Sequence, residues 1–368
     1  MKKLMLTTAI ASVLTTAAIA QTTITGELRL SYKDISMPKG AANSGTTADT
    51  VYGFGAEQQI NIQTKGKLNL GGLDYAAGFS IENDGEQTGT LFNENVYMDL
   101  TNASSGTTVS FSRDHIQRSD SDFSATNLVG FTPNELSQLT NATSGGTWFN
   151  QNIGPATSQA YGIALLQKTP VGTFSYNFVP NNAKPAATDA TGLVNGSIPT
   201  NANIVGVASS EAVNPNTTAA YEYGFVGDLG VKGLQAHYFK SANHDYAVTY
   251  AVGAVKAEAK NYGVKYNFGD ITVAANKKKY NSEAATLTET VETAYAIAYA
   301  VNKDLSIGVI KATADRNTSA VDHVVKGINI GYNLGPVALA AGYGKNSDAE
   351  GNAGADNDVF MIRLLGAF

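Results

Sequence analysis

The chain has 368 residues, and charged residues make up 15% of them, well below the ~25% of an ordinary soluble domain. A hydrophobic share of 43% excludes a disordered chain, and the absence of Cys excludes disulfides, thiolate metal sites, Fe–S clusters and a Cys nucleophile. A formal charge of −6 argues against a general nucleic-acid binder.

The chain opens with Lys2 and Lys3, an apolar stretch from Leu4 to Val13 and the small-x-small run Ala18-Ile19-Ala20. This pattern predicts a secretory signal peptide over 1–20, cleaved after Ala20. Residues 21–368 then form the working part, outside the cytoplasm. No later window offers 18 uncharged apolar residues, so spanning helices are not expected.

From Thr22 onward the sequence alternates with period two, the spacing that sends successive side chains to opposite faces of a strand. Ile24, Leu28, Leu30 and Tyr32 share one face, and Thr25, Glu27, Arg29, Ser31 and Lys33 the other. Runs of this kind recur around Tyr52–Ile62, Leu73–Ile81, Val96–Leu100, Val109–Phe111, Tyr161–Leu165, Phe174–Phe178 and Tyr221–Phe225. They continue around Leu234–Tyr238, Tyr262–Phe268, Ile271–Ala275, Tyr295–Val301, Leu305–Val309, Ile328–Leu334, Val337–Tyr343 and Phe360–Phe368. The first strand and these fifteen runs make sixteen expected strands. That leaves about 22 residues for each strand and its connection, enough for a spanning strand of ~9–11 residues and a loop.

Short connections such as Thr64–Lys67, Gly269-Asp270 and Gly335-Pro336 are expected to alternate strictly with long polar ones. The long ones include Asp34–Thr50, Asn83–Asn95, Asp114–Ser158, Pro180–Thr218, Ser241–Val255 and Lys345–Asn357. This schedule predicts an all-β fold, a sixteen-stranded antiparallel transmembrane β-barrel in the cell outer membrane, with polar faces turned inward to an aqueous lumen. Closure leaves no sheet edge and pairs every backbone group in lipid. A soluble sandwich, propeller or adhesin also alternates with period two, but predicts neither a terminal aromatic nor aromatic girdles. Tyr outnumbers Trp 18 to 1, which suits a belt of amphipathic rings.

The signal peptide, the Thr23–Leu30 first strand, the strand schedule and the terminal Phe368 together resemble the general diffusion porins of Gram-negative bacteria, most closely the alphaproteobacterial type. The resemblance covers the whole of 21–368. It implies a homotrimer, a third loop (Asp114–Ser158) folded into the lumen, and a Phe368 read as an assembly signal by the barrel-assembly machinery.

Strand parity puts Arg29, Arg363, Lys265 and Lys278 on the inward face as pore-lining cations, with His237 beside them. It gives Glu27, Glu57, Asp74, Asp99 and Glu222 as inward acids. The third loop supplies Asp114, Asp120, Asp122 and Glu135. In the resembled family such acids face a basic cluster across a narrow gap, and the resulting field favours small polar solutes. For Arg29 the alternative is a structural ion pair with Glu27, two residues away on the same face.

Arg113, Lys311 and Lys326 take the lipid-facing parity. They are expected at the outer rim, or, for Arg113, beyond a parity-resetting bulge, because a charge at the bilayer midplane costs about 2–4 kcal/mol. Rim lysines there suit lipopolysaccharide phosphates.

His115, His237, His244 and His323 show no metal-ligand spacing, and no nucleophile–base motif is present. Neither an enzyme nor a cofactor is expected, although Glu82–Glu86 and Asp356–Asp358 carry oxygen donors of the kind a loop-bound Ca²⁺ takes. The reading is a porin for passive diffusion of small hydrophilic solutes and ions, bound to outer-membrane lipid and lipopolysaccharide and not to nucleic acid. The alternatives are a substrate-selective channel and a surface-binding barrel acting through long loops such as Pro180–Thr218.

Overall fold

The computed structural model describes residues 21–36, 50–68, 71–83, 92–113, 124–137, 149, 161–179, 220–244, 256–282 and 288–368. Sixteen strands follow in chain order. They are β1 (Gln21–Ser36), β2 (Thr50–Lys67), β3 (Leu73–Asn83), β4 (Phe92–Asn102), β5 (Thr107–Arg113), β6 (Tyr161–Thr169), β7 (Gly172–Val179) and β8 (Ala220–Gly227), then β9 (Leu234–His244), β10 (Lys256–Phe268), β11 (Ile271–Ser282), β12 (Thr288–Ala300), β13 (Leu305–Arg316), β14 (His323–Asn333), β15 (Val337–Ser347) and β16 (Asn357–Ala367). Among the described residues one short α-helix, α1 (Pro133–Leu136), lies between β5 and β6, and a single 3₁₀ turn, Ala349–Gly351, lies between β15 and β16. Every strand pairs antiparallel with its sequence neighbours, and β1 pairs with β16 to close the barrel. The predicted strands correspond to these one for one.

Alternation decides which side chains meet lipid. Ile24, Leu28, Leu30, Phe54, Met98, Ile163, Tyr223, Ile297 and Ile362 all point outward and are exposed. No helix among the described residues is long and apolar enough to cross a membrane; the strands do the crossing. A closed ladder with an apolar exterior belongs in a bilayer, and the chain is an outer-membrane barrel.

Three expectations about the connections are corrected. Thr64–Lys67 are not a turn: they continue β2, paired with β3 and, at Thr64 and Lys65, with β1 as well. Gly66 serves close approach, since a Cβ there would meet the Tyr75 ring. The chain turns instead at Gly71 and Gly72, whose φ of 62° and 71° disfavour any side chain. The alternation of short and long connections is also not strict, because the outer connections over 283–287 and 317–322 are short. Pairing beside the second of these simply runs on, with Arg316 opposite Thr290 and Asn317 N donating to Glu289 O at 3.1 Å. Finally, strand length runs from 7 residues in β5 to 18 in β2, so β1 and β2 rise above a minimal span. Arg113 is the last residue of β5, and the register of β5 is unbroken on both sides. Its place is therefore the outer end of the strand, with no bulge in β5.

The seam between the first and last strands is finished by the terminal residue. Gly26 N donates to Phe368 O at 2.8 Å, and Phe368 N donates to Gly26 O at 3.0 Å. The Phe368 ring lies over Gly26 and fills the space a Cβ would take. Deleting Phe368 removes both bonds, each worth about 1 kcal/mol, and uncovers Gly26. The expected result is a barrel that unfolds at lower temperature, read by the loss of heat-modifiable migration on a gel.

The expectation of polar inward faces is corrected for β12–β16. Ala294, Ala296, Ile310, Ala312, Ala314, Val325, Val359 and Met361 form a buried apolar cluster with Phe131, Leu136 and Phe149 from the β5–β6 connection. These wall positions are apolar, and mostly small, because protein, not water, lies against them.

Candidate constriction site

The segment 124–137 is anchored to the wall by side chains that alternate with the lipid-facing ones. Asn329 Nδ2 donates to Phe131 O at 2.9 Å, and Asn346 Nδ2 donates to Leu136 O at 2.9 Å. Ala125 N donates to Asn276 Oδ1 at 3.1 Å. Asn276 Nδ2 in turn donates to Asn261 Oδ1, which also meets His237 Nε2 at 3.2 Å. His323 Nε2 meets Asn346 Oδ1 at 3.2 Å. Thus β11, β14 and β15 each present an asparagine to backbone that would otherwise be buried without a partner.

Packing repeats that pattern. Val129 sits against Gly308 and Gly331, Phe131 against Gly342, and Leu136 against Gly327 and Gly344. A Cβ on Gly342 would overlap the Phe131 ring and come within 2.6 Å of Asn329 Oδ1. Gly342→Leu is therefore expected to displace the segment. The expected readout is an altered single-channel conductance from a barrel whose circular dichroism is unchanged.

The acid on this segment is oriented by its own helix. Thr132 caps α1: its hydroxyl accepts from Glu135 N at 3.2 Å, while Glu135 Oε2 accepts from Thr132 N at 2.8 Å. Pro133 takes the first helical position, where no N–H is needed. This reciprocal box leaves Glu135 Oε1 to accept from Arg363 on β16. The Arg363 guanidinium also lies 4.7 Å from the Phe131 ring centroid. Both charged side chains are about a fifth exposed, at 19% and 22%.

One strand away, Arg29 donates to Glu27 at 2.8 Å and to Glu57, its direct cross-strand partner on β2. Arg363 stands opposite Ser31, so Arg29 and Arg363 are diagonal neighbours. Lys33 shares this wall, within the field of Glu135 and Arg363. The result is a patch of Arg29, Lys33 and Arg363 interleaved with Glu27, Glu57 and Glu135.

Of the residues singled out from sequence, Arg29, Arg363 and Glu135 are brought together here. Glu135 touches the basic wall directly, where the resemblance implied a facing gap. Lys265 and Lys278 lie on β10 and β11, near His237 and the Asn261–Asn276 pair. At roughly 4.8 Å per strand this is a separate group, five and six strands from β16. Asp114, Asp120 and Asp122 fall outside the described residues. Asp356 Oδ1 accepts from Asp348 N at 3.2 Å, and no group of three or more metal-ligating side chains occurs among the described residues. Of the other acidic stretch, Glu82 and Asn83 end β3, and residues 84–86 lie outside the described residues.

Sequence reasoning missed Lys33, Phe131, Leu136 and the asparagine and glycine docking positions. The available signal was compositional: inward positions of β12–β15 are rich in Ala, Gly and Asn, while those of β2 are rich in Glu, Gln and Asn.

No family model and no curated protein matches this sequence. Solved structures do. The chain is similar to the anion-selective porin from Comamonas acidovorans, at 12% identity and a TM-score of 0.65, covering 95% of this chain and 100% of that one. It is also similar to the trimer form of OmpT, an outer membrane protein of Vibrio cholerae, at 13% identity and a TM-score of 0.61, with the same coverage. A triple mutant of the Rhodopseudomonas blastica porin follows at 14% identity and 0.54, again covering 95% and 100%. The chain has the fold of these outer-membrane porins.

Proposed function

We propose that this chain is a general diffusion porin: a water-filled channel through which small hydrophilic solutes and ions cross the outer membrane passively. The observation that carries this reading is a segment of the β5–β6 connection tied to the inner wall of a wide barrel beside six interleaved charges. Sixteen strands enclose more space than side chains fill. A loop held within that space by Asn329, Asn346 and the Glu135–Arg363 pair narrows it without sealing it. Charges at the narrowing order water and favour polar solutes over apolar ones.

The working form is a homotrimer of the alphaproteobacterial porin type, without enzymatic activity or cofactor. It is exported by the 1–20 signal peptide, and Phe368 is its address for the barrel-assembly machinery. Its lipid partners include lipopolysaccharide. Proteoliposome swelling with a series of neutral sugars tests the reading. A swelling rate that falls smoothly with sugar size supports diffusion, and one accelerated by a single sugar at low concentration points to a selective channel.

A further inference from the structure

The inner wall beside the docked segment is filled on one side and bare on the other, and β1 is the boundary. Its inward residue Ser31 pairs with Arg363 on β16 and with Gly55 on β2, while Lys33 pairs with Met361 on β16 and with Gly53 on β2. On the β16 side, Arg363 is held by Glu135, and Met361 belongs to the apolar cluster that seats Phe131 and Leu136. On the β2 side the two inward positions are glycines, both exposed. A Cβ added at either would meet nothing within 4 Å among the described residues.

This sets them apart from the other inward glycines whose surroundings are described. Gly78 is covered by the Tyr97 ring, Gly224 by Phe239, and Gly263 by His237 and Asn276. Gly308 and Gly331 receive Val129, Gly342 receives Phe131, and Gly327 and Gly344 receive Leu136. In each of those cases glycine makes room for a side chain of the same molecule. Backbone geometry does not call for glycine at 53 or 55 either. Neither has a positive φ, and the β1–β2 register runs through them unbroken. Glycine weakens a strand, and within a sheet it marks close approach by another group. Here no described group of the protein makes that approach, so the space is left to whatever passes through the lumen.

The chemistry along this notch is graded. Lys33 stands across from Gly53, the uncharged Ser31 across from Gly55, and Glu57, bonded to Arg29, follows two residues further in. A solute coming from the outer end meets the ammonium first. A cation beside a narrow passage with low-dielectric walls raises the local concentration of anions.

We infer that Gly53 and Gly55 form the open side of the passage beside the docked segment, and that Lys33 makes its outer end selective for small anionic solutes, carboxylates and sulfonates among them. The inference rests on the porin reading and refines it: that reading needs a gap, and the bare glycines put the gap on the β2 side.

The chain has no Cys, so Gly53→Cys, Gly55→Cys and, inward on β11, Thr272→Cys each carry a single thiol. Each refolded variant is treated with a sulfonate-bearing or a trimethylammonium-bearing methanethiosulfonate. The thiolate displaces methanesulfinate and forms a mixed disulfide, which mass spectrometry counts, and single-channel conductance is recorded before and after. Labelling at 53 or 55 is expected to lower the conductance in steps, and full labelling of Thr272→Cys to change it little. At Gly53→Cys the sulfonate reagent is expected to react about fivefold faster than the cationic one, the effect of one unit charge at close range. Lys33→Gln in the same chain removes that preference, and Lys33→Arg keeps it. Full labelling at both glycine positions with unchanged conductance overturns the passage. Equal rates for the two reagents, or a preference that survives Lys33→Gln, overturn the role of Lys33. A folded wild type that carries no current contradicts the porin reading, and the labelling rates then decide the notch separately: fast, sulfonate-selective labelling upholds it, and protection from both reagents overturns it.

Discussion

Replacing Arg29 and Arg363 together by Ser is expected to turn the channel strongly toward cations. In the wild type Arg29, Lys33 and Arg363 are interleaved with Glu27, Glu57 and Glu135, so the patch is close to neutral. The double variant leaves three carboxylates against Lys33. A unit charge acts on an ion about 4 Å away in water with ~1 kcal/mol. Each lost guanidinium therefore changes the local cation-to-anion ratio several-fold. The reversal potential in a KCl gradient reads this directly. The shift should be large in dilute salt and shrink near 1 M, where screening acts within about 3 Å. Glu135→Gln should move the reversal potential the other way, because the amide can keep the Thr132 cap while losing its charge. Reversal potentials unchanged in both variants would mean that permeating ions do not pass this wall.

The second large effect is expected from Phe131→Ala with Leu136→Ala. Both side chains are almost fully buried, at 1% and 0% exposure. Truncating them removes packing worth about 3–5 and 2–5 kcal/mol respectively. That loss falls on the docking of one segment and not on the barrel, whose ladder closes without it. The variant should fold and resist heat like the wild type, yet conduct more and with noisier open levels. An unchanged, quiet conductance would show that this segment does not limit the passage.

The barrel was legible in the sequence because one face of every strand answers to lipid. In β1, Ile24, Leu28 and Leu30 alternate with Thr25, Glu27 and Arg29, and a slip of one residue would turn those polar groups toward hydrocarbon. Boundaries were less legible. Gly66 reads as a turn residue, but it is a strand position that receives the Tyr75 ring.

The charged patch on the inner wall was legible only in its charges. Arg29, Arg363 and Glu135 could be nominated by parity and by loop position. Their contacts could not, because a loop's path depends on partners far along the chain. Phe131 meets Asn329 and Gly342, and Leu136 meets Asn346 and Gly344. A single side chain also answers to several constraints at once. Glu135 caps its own helix and holds Arg363, so its carboxylate is engaged in contacts that a lone motif does not reveal. Conversely, Lys33 reads as one more polar residue of the first strand, and only the pairing with β16 brings Arg363 beside it.

The most direct measurement is the current through single molecules of the purified, refolded protein in a planar bilayer under a salt gradient. Large ohmic openings that close in three equal steps, with a reversal potential that moves when Arg29 and Arg363 are replaced, are the predicted result. A heat-resistant, correctly folded barrel that carries no current would contradict it, because the lumen would then be sealed and the charges along its wall would have no ions to select.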